Sequence, residues 1–110
     1  MANAFKTYAS RGVGTSLTAI GSHTVAGSTT ETVIGMTVSN VTGSAVNVTV
    51  TYNDGANDTR IEKDAPVPTG GALTPIGGDQ KIVLEVGDSI KVSSNTASSV
   101  DAVMSVLEQT

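Results

Sequence analysis

The chain has 110 residues, which is enough sequence for one domain and not for two. It has a formal net charge of −4 and contains no cysteine. The lack of cysteine excludes disulfides, thiolate metal sites and cysteine nucleophiles. The six basic residues are scattered, and one Phe, two Tyr and no Trp offer few rings on which bases could stack. We therefore expect no binding to nucleic acids.

The first residues lack the apolar segment of a secretory signal, and no run approaches the ~20 apolar residues of a membrane span. The sequence therefore predicts a protein that is made in a reducing cytoplasm and has no membrane partner. Its core has to be aliphatic, because aromatic residues are so few. Val, Ile and Thr dominate instead, and β-branched side chains favour strands.

Residues 1–14 are expected to form an N-terminal arm ahead of a domain that spans residues 15–110. Phe5, Tyr8 and Arg11 lie in this arm, outside the clear strand patterns. Two interpretations of the aromatic residues remain open: they close over one end of the core, or the arm extends and docks on a neighbouring subunit. Because aromatic residues and arginine are enriched at interfaces, we expect all three to be contact residues.

Short β-patterns recur about every ten residues from Thr15 onward. Residues 17–25 form one weak strand or two. Residues 30–41 alternate well, and Gly35 inside this run indicates a bulge or a close backbone approach. One face of that strand would carry Thr32, Ile34, Met36 and Val38.

The middle of the chain continues the pattern. Residues 46–52 alternate cleanly, which predicts a strand with its valines and Tyr52 turned inward. The segment 53–55 has turn chemistry, and residues 58–63 are expected to return as an edge strand, because charged side chains suit a solvent-facing edge. A short strand is expected at residues 72–74.

The last third of the chain carries two alternating runs, residues 82–86 and 90–92. The Gly87-Asp88 pair between them predicts a β-hairpin that opens at Gly77-Gly78. Residues 99–107 fit the period of a strand or of a helix, and the Ser- and Thr-rich surroundings favour a strand. Together the elements predict an all-β fold: a single antiparallel β-sandwich, jelly-roll or immunoglobulin-like, with an extended N-terminal arm.

Residues that could carry chemistry are few. His23 is the only histidine, and without an acidic pair at ligand spacing it is expected at a strand edge or on the surface. No serine lies in a G-x-S-x-G elbow, so we expect no catalytic residues, no cofactor, no metal site and no enzymatic activity. The segment 53–58 collects Asn and Asp side chains that suit Ca²⁺, but Gly55 comes too early for a calcium loop, which favours turn formation.

The outward positions of the expected strands are rich in Thr, Ser, Asn, Ala and Val, and only 15% of the residues are charged. A freestanding domain usually carries more surface charge. This composition indicates burial between subunits, in a homo-oligomer or in a protein that coats a larger assembly.

Several turn and strand segments resemble small virion structural proteins of tailed bacteriophages. These segments are APVP (65–68), GGDQKIVL (77–84), GDSIKV (87–92) and VDAVMSVLE (100–108), with the MANAFK start (1–6) and TVIGM (32–36). The likeness covers most of the chain. Its motifs are turns and strands without chemistry, so the resemblance implies no catalytic residues.

The resemblance implies a non-enzymatic virion structural protein, made in the host cytoplasm and located in the particle. A small acidic module suits a capsid decoration (cement) protein that stabilises the shell by protein–protein contacts with the major capsid protein. Self-association into a homotrimer would let each copy bridge several shell subunits. One alternative is a neck, collar, baseplate or fibre-base component of the tail.

A carbohydrate- or host-surface-binding β-sandwich is an alternative from another class. Sugar sites generally use aromatic platforms, and Tyr52 is the only aromatic residue on an expected strand. Deletion of residues 2–11 would test whether the arm makes the contacts with a particle.

Overall fold

The computed structural model describes residues 2–77 and 80–110, so Gly78 and Asp79, where the expected hairpin opens, lie outside the described part. A 3₁₀ helix, Ile20–Ser22, follows the second strand. In the described ranges, no helix is long and apolar enough to cross a membrane. The strands are β1 Asn3–Val13, β2 Thr18–Ala19, β3 Thr30–Asn40, β4 Val46–Asn53, β5 Asp58–Val67, β6 Ala72–Ile76, β7 Ile82–Leu84, β8 Ser89–Ser94 and β9 Val100–Gln109.

Two sheets pack face to face and confirm the predicted all-β, antiparallel sandwich. The first sheet has the order β1-β9-β3-β6, with β7 pairing β3 beyond the end of β6. The second sheet has the order β2-β8-β4-β5, and every strand pair is antiparallel. The core between the sheets is aliphatic, as the composition required. Its fully buried side chains include Val33, Val38, Val48, Val50, Ile76, Leu84, Ile90, Met104 and Val106.

The bulge expected at Gly35 is present in β3. The register between β3 and β9 shifts between Val33 and Gly35, so one extra residue is inserted there. The extra residue reverses the side-chain alternation, and the face assignment from simple period-2 counting is therefore wrong for Thr32 and Ile34, which lie on the side opposite to Met36 and Val38. Ile34 points outward and is 36% exposed, whereas Val33 and Met36 are buried.

The expected hairpin around Gly87-Asp88 is not formed. Strand β7 pairs with β3 in the first sheet, while β8 pairs with β4 and β2 in the second sheet. The turn does exist, since the Asp88 amide donates to the Glu85 carbonyl at 2.9 Å, but it carries the chain from one sheet to the other. Val86, which the alternation placed inside, is 57% exposed at this crossing.

The expected N-terminal arm is also not formed. Residues 3–13 are strand β1, which pairs with β9 along nearly its whole length, from Asn3 opposite Gln109 to Val13 opposite Val100. The N-terminal segment is therefore an edge strand of the first sheet. Deleting residues 2–11 would remove most of a strand and would no longer test an arm alone.

Other strand predictions are confirmed. Strand β5 forms the edge of the second sheet and carries the charged side chains expected there. Strand β6 includes residues 72–74, and the C-terminal segment is strand β9 and not a helix. The weak pattern at residues 17–25 resolves into the two-residue β2 and the 3₁₀ helix.

Gly21 in the 3₁₀ helix is required by close packing against β1. Its φ is +63°, and an added Cβ would lie 3.1 Å from Cβ of Tyr8 and 3.3 Å from the backbone nitrogen of Ala9. We expect Gly21→Ala to lower the free energy of unfolding by about 1–3 kcal/mol, measured by urea denaturation. Gly27→Ala is the control, because nothing lies within 4 Å of its added Cβ. Equal losses in both variants would contradict the packing of this turn on β1.

Candidate functional site

The outward side of the first sheet, here called the outer face, carries a row of side chains that crosses four strands. In antiparallel sheets, directly paired residues point to the same side. Phe5 on β1 pairs with Leu107 on β9, Leu107 pairs with Thr32 on β3, and Thr32 pairs with Val83 on β7. Phe5 is 77% and Val83 56% exposed. This row therefore presents large apolar side chains to solvent and contains no charge.

A second part of the outer face is a shallow depression of about 320 Å³ between β3, β6 and β9. Ile34 and Val103 supply apolar surface to it, and Thr37 and Ser105 supply hydroxyl groups. None of the residues that line it is charged. Exposed, uncharged and partly apolar surface of this kind is typical of protein-interaction sites.

Strand β1 adds an open backbone edge to the outer face. It lies at the end of the first sheet, and no strand of the described ranges pairs with its other side. Residues 2–7 are all exposed. Unpaired backbone groups on such an edge are a template for another strand. Strand β5, at the edge of the second sheet, differs because its charged side chains, its bulges and Pro66 discourage such pairing.

The three expected contact residues all lie on β1, but they play different parts. Phe5 points to the outer face and is free of the core. Tyr8 points to the opposite side, where it is half-buried and packs against the core. Arg11 is exposed at the register shift between Ser10 and Val13. Phe5 and Arg11 thus lie at the surface and Tyr8 is half-buried, and contact with a neighbouring subunit stays a prediction for all three.

A polar group of four side chains, here called the His–Glu cluster, lies where β1, β3 and β9 meet the segment after the 3₁₀ helix. Glu31 on β3 is directly paired with Glu108 on β9. Nε2 of His23 lies 2.7 Å from Oε2 of Glu31, and the Tyr8 hydroxyl donates to Oε2 of Glu108 at 2.5 Å. The Tyr8 and His23 rings stack with centroids 3.7 Å apart and planes at 10°.

Burial governs the protonation of the His–Glu cluster. Glu31 is only 1% exposed, and desolvation raises the pKa of its carboxyl, an effect that the nearby Glu108 carboxyl reinforces and His23 opposes. The hydrogen bond from Tyr8 lowers the pKa of Glu108. Desolvation and the same hydrogen bond raise the pKa of Tyr8 to about 12. The two facing carboxyl groups thus titrate as an unequal pair.

No local pattern in the sequence predicts this cluster, and His23 alone does not indicate it. The acidic partners of His23 are 8 and 85 positions away in the sequence, so no motif of closely spaced residues predicts them. A weaker signal was present. Glu31 and Glu108 each occupy an inward position of a strand, two residues from a buried valine, Val33 or Val106. An acidic residue in such a position is rare unless it has a partner.

Tyr52 does not form an aromatic platform on the surface. Its ring packs against the core, and its hydroxyl donates to Oδ2 of Asp88 at 2.7 Å. That hydrogen bond, followed by desolvation, raises the pKa of Tyr52 to about 12. Asp88 also accepts a hydrogen bond from the Glu85 amide. The Tyr52–Asp88 hydrogen bond therefore stabilises the segment that crosses from one sheet to the other. Among aromatic residues on strands, the exposed one is Phe5.

The polar side chains of the 53–58 segment are used to build its turn. Asp54 accepts from the amides of Ala56 and Asn57, which lowers the pKa of its carboxyl. Asp58 accepts from Asn53 and from the Thr51 hydroxyl, and its pKa is likewise lowered. These hydrogen bonds account for the Asn and Asp side chains of the 53–58 segment as residues that form its turn.

Comparisons with known proteins support the fold. No family model matches the chain, and no curated protein matches it. Among solved structures, the chain is similar to a protein described as a Bacillus endospore appendage of a family of disulfide-linked pili. The two are 14% identical, the match covers 98% of this chain and 88% of that one, and the TM-score is 0.57. The chain therefore shares its β-sandwich fold with a known appendage protein.

Proposed function

We propose that this chain is a non-enzymatic structural subunit of a tailed-bacteriophage particle, and that it binds the capsid shell as a decoration protein. The observation that carries the proposal is the outer face with its open edge strand. Phe5, Val83, Ile34 and Val103 are all at least one-third exposed on one side of one sheet. An exposed apolar row and a depression without charged lining residues suit a permanent contact with another protein.

The shell is proposed as the main partner because of the likeness to small virion structural proteins. A decoration protein joins a shell that is already built, and it acts by adding buried area across subunit boundaries. A cyclic homotrimer would place three outer faces over neighbouring shell subunits. Open edges of β1 provide backbone groups for contacts between the copies or with the shell.

A co-sedimentation experiment tests this function. Purified protein is added to shells that lack it, and the bound amount is measured after pelleting. Saturation at a fixed ratio to the major capsid protein supports decoration. The decoration proposal is contradicted if binding does not saturate, or if the protein stays unbound at all concentrations. Light scattering of the isolated protein gives the oligomeric state, for which a trimer is expected.

A second candidate is a subunit of a fibre or pilus-like appendage, and two observations favour it. The fold is shared with a pilus protein, and β1 leaves a strand edge open. That neighbour is described as disulfide-linked, and this chain contains no cysteine, so any fibre of this chain would form without disulfides. Concentration-dependent filaments of the isolated protein, seen by negative-stain microscopy, would favour this candidate over decoration.

Neck, collar, baseplate or fibre-base positions on the tail would use the same surface with fewer copies. Copy number distinguishes them from decoration. The carbohydrate-binding alternative is weaker, because the ring of Tyr52 packs against the core and its hydroxyl is bonded to Asp88. Binding of the isolated domain to a glycan array would restore it.

A further inference from the structure

The His–Glu cluster brings three metal-ligating side chains together from separate parts of the chain. One ring nitrogen of His23 and one oxygen each of Glu31 and Glu108 lie within 4.8 Å of one another. His23 comes from the segment after the 3₁₀ helix, and the two glutamates come from neighbouring strands. The fold, and not local sequence, therefore builds this group. Its chemistry is independent of the assembly surface proposed above.

One oxygen of the cluster lacks a partner. Oε1 of Glu31 is buried and receives no hydrogen bond from any described residue. The Glu108 carboxylate opposite brings acceptors alone, so the two carboxyl groups can bond to each other only by holding a proton between them, an arrangement in which Glu31 donates to Glu108. A buried carboxylate oxygen without a donor is costly, and two facing carboxylates add repulsion. When both carboxyl groups are ionised, the cluster has more negative charge and more acceptor atoms than its donors can satisfy, and either a shared proton or a bound cation relieves this condition.

We propose that His23, Glu31 and Glu108 bind one divalent transition-metal ion, with Zn²⁺ as the best-fitting ion. One imidazole nitrogen and two carboxylate oxygens form a three-ligand set that Zn²⁺ accepts, with water as the fourth ligand. Ca²⁺ and Mg²⁺ prefer sites made of oxygen alone, so the imidazole discriminates against them. The ion neutralises the buried charge of Glu31 and bridges strands β3 and β9.

Binding requires only a small movement. In the hydrogen-bonded form, Nε2 of His23 is 2.7 Å from Oε2 of Glu31. Bonds of ~2.0–2.2 Å in a tetrahedral site separate two ligand atoms by about 3.3–3.6 Å, so the imidazole nitrogen has to move about 0.6–0.9 Å away from the Glu31 oxygen. Ligand atoms that lie up to 4.8 Å apart have to approach each other to reach the same separation. His23 belongs to an irregular segment, and its side chain is 13% exposed, so it is the ligand that can move and the side from which an ion enters.

Tyr8 is placed to orient two of the three ligands. Its hydroxyl fixes Glu108, and its ring lies flat on the His23 imidazole. Outer partners of this kind set the direction of metal ligands. Because Tyr8 belongs to β1, a bound ion would also fasten the edge strand that presents Phe5.

The experiment is a titration of the chelator-treated full chain with Zn²⁺, followed by calorimetry and by NMR. His23 is the only histidine, so one pair of imidazole signals reports the site directly. We expect one ion per chain, a shift of the His23 signals that saturates with it, and binding of Mg²⁺ at least a hundredfold weaker. At a hundredfold excess over Kd, Zn²⁺ should raise Tm by about 10 °C.

Variants locate the ion. Glu31→Gln and Glu108→Gln should each weaken Zn²⁺ binding at least tenfold, while Glu85→Gln, the same change at an exposed position, should not. Equal binding by all variants, or Zn²⁺ binding that leaves the His23 signals of the unaltered chain in place, would overturn the proposal. So would the absence of binding at 1 mM Zn²⁺ (about a hundred times a micromolar-range Kd or more), and the cluster would then hold a shared proton alone.

Discussion

Phe5→Asp is expected to weaken binding of the protein to its particle at least ~30-fold, the cost of losing one aromatic hot spot of about 2 kcal/mol. Phe5 is the most exposed large apolar side chain of the described residues, at 77%, and it heads the row that crosses the outer face. A carboxylate at this position would have to be desolvated on binding, which adds to the loss of apolar area. Co-sedimentation with shells measures the change.

The matched control is Val41→Asp. Val41 is also exposed, at 56%, but it follows β3 at the other end of the sheet, away from Phe5. Both variants should keep the stability of the unaltered chain, because neither side chain is in the core. Equal loss of binding in the two variants, or full binding by Phe5→Asp, would place the contact elsewhere on the molecule.

Ile90→Ala is expected to lower the free energy of unfolding by about 2–5 kcal/mol, as large-to-small changes in cores do. Ile90 lies on β8 opposite Tyr52 of β4 and is completely buried between the sheets. The whole domain has a stability of roughly 5–15 kcal/mol, so this single change removes a large share. Urea denaturation followed by circular dichroism gives the value.

Two control variants show whether the effect of Ile90→Ala comes from the burial of this side chain and not simply from the loss of apolar atoms. Ile34→Ala is the same chemical change on the outer face and should cost less than about 1 kcal/mol. Val86→Ala should be nearly neutral, because Val86 is exposed where the chain crosses between sheets. If Val86→Ala lowered the free energy of unfolding as much as Ile90→Ala, the crossing between the sheets would be contradicted and the hairpin prediction would be supported.

The strands were predictable because their side-chain period is local information. Alternation located β4 and β9, and glycine inside an alternating run located the bulge in β3. Alternation does not predict which strands pair with each other. The Gly87-Asp88 turn looks the same in sequence whether it joins two paired strands or carries the chain to the opposite sheet. Only the long-range pairing of β7 with β3 distinguishes them.

Strand β1 was missed for a related reason. Edge strands bury few residues, so Asn3–Val13 shows no clean apolar alternation. Its pairing with β9 spans about a hundred residues of sequence, and nothing local indicates it. The same distance hid the His–Glu cluster, since Glu108 and Tyr8 lie at opposite ends of the chain. The sequence therefore predicts contact residues near Phe5, but it does not predict the polar group formed by Tyr8, His23, Glu31 and Glu108.

The most direct test of the proposed role is the amount of this protein in purified phage particles relative to the major capsid protein, measured by quantitative mass spectrometry. The decoration proposal predicts a ratio close to that of the shell subunits. A ratio of a few per cent would assign the protein to the neck or tail and contradict decoration. Its absence from the particles would contradict a virion role altogether.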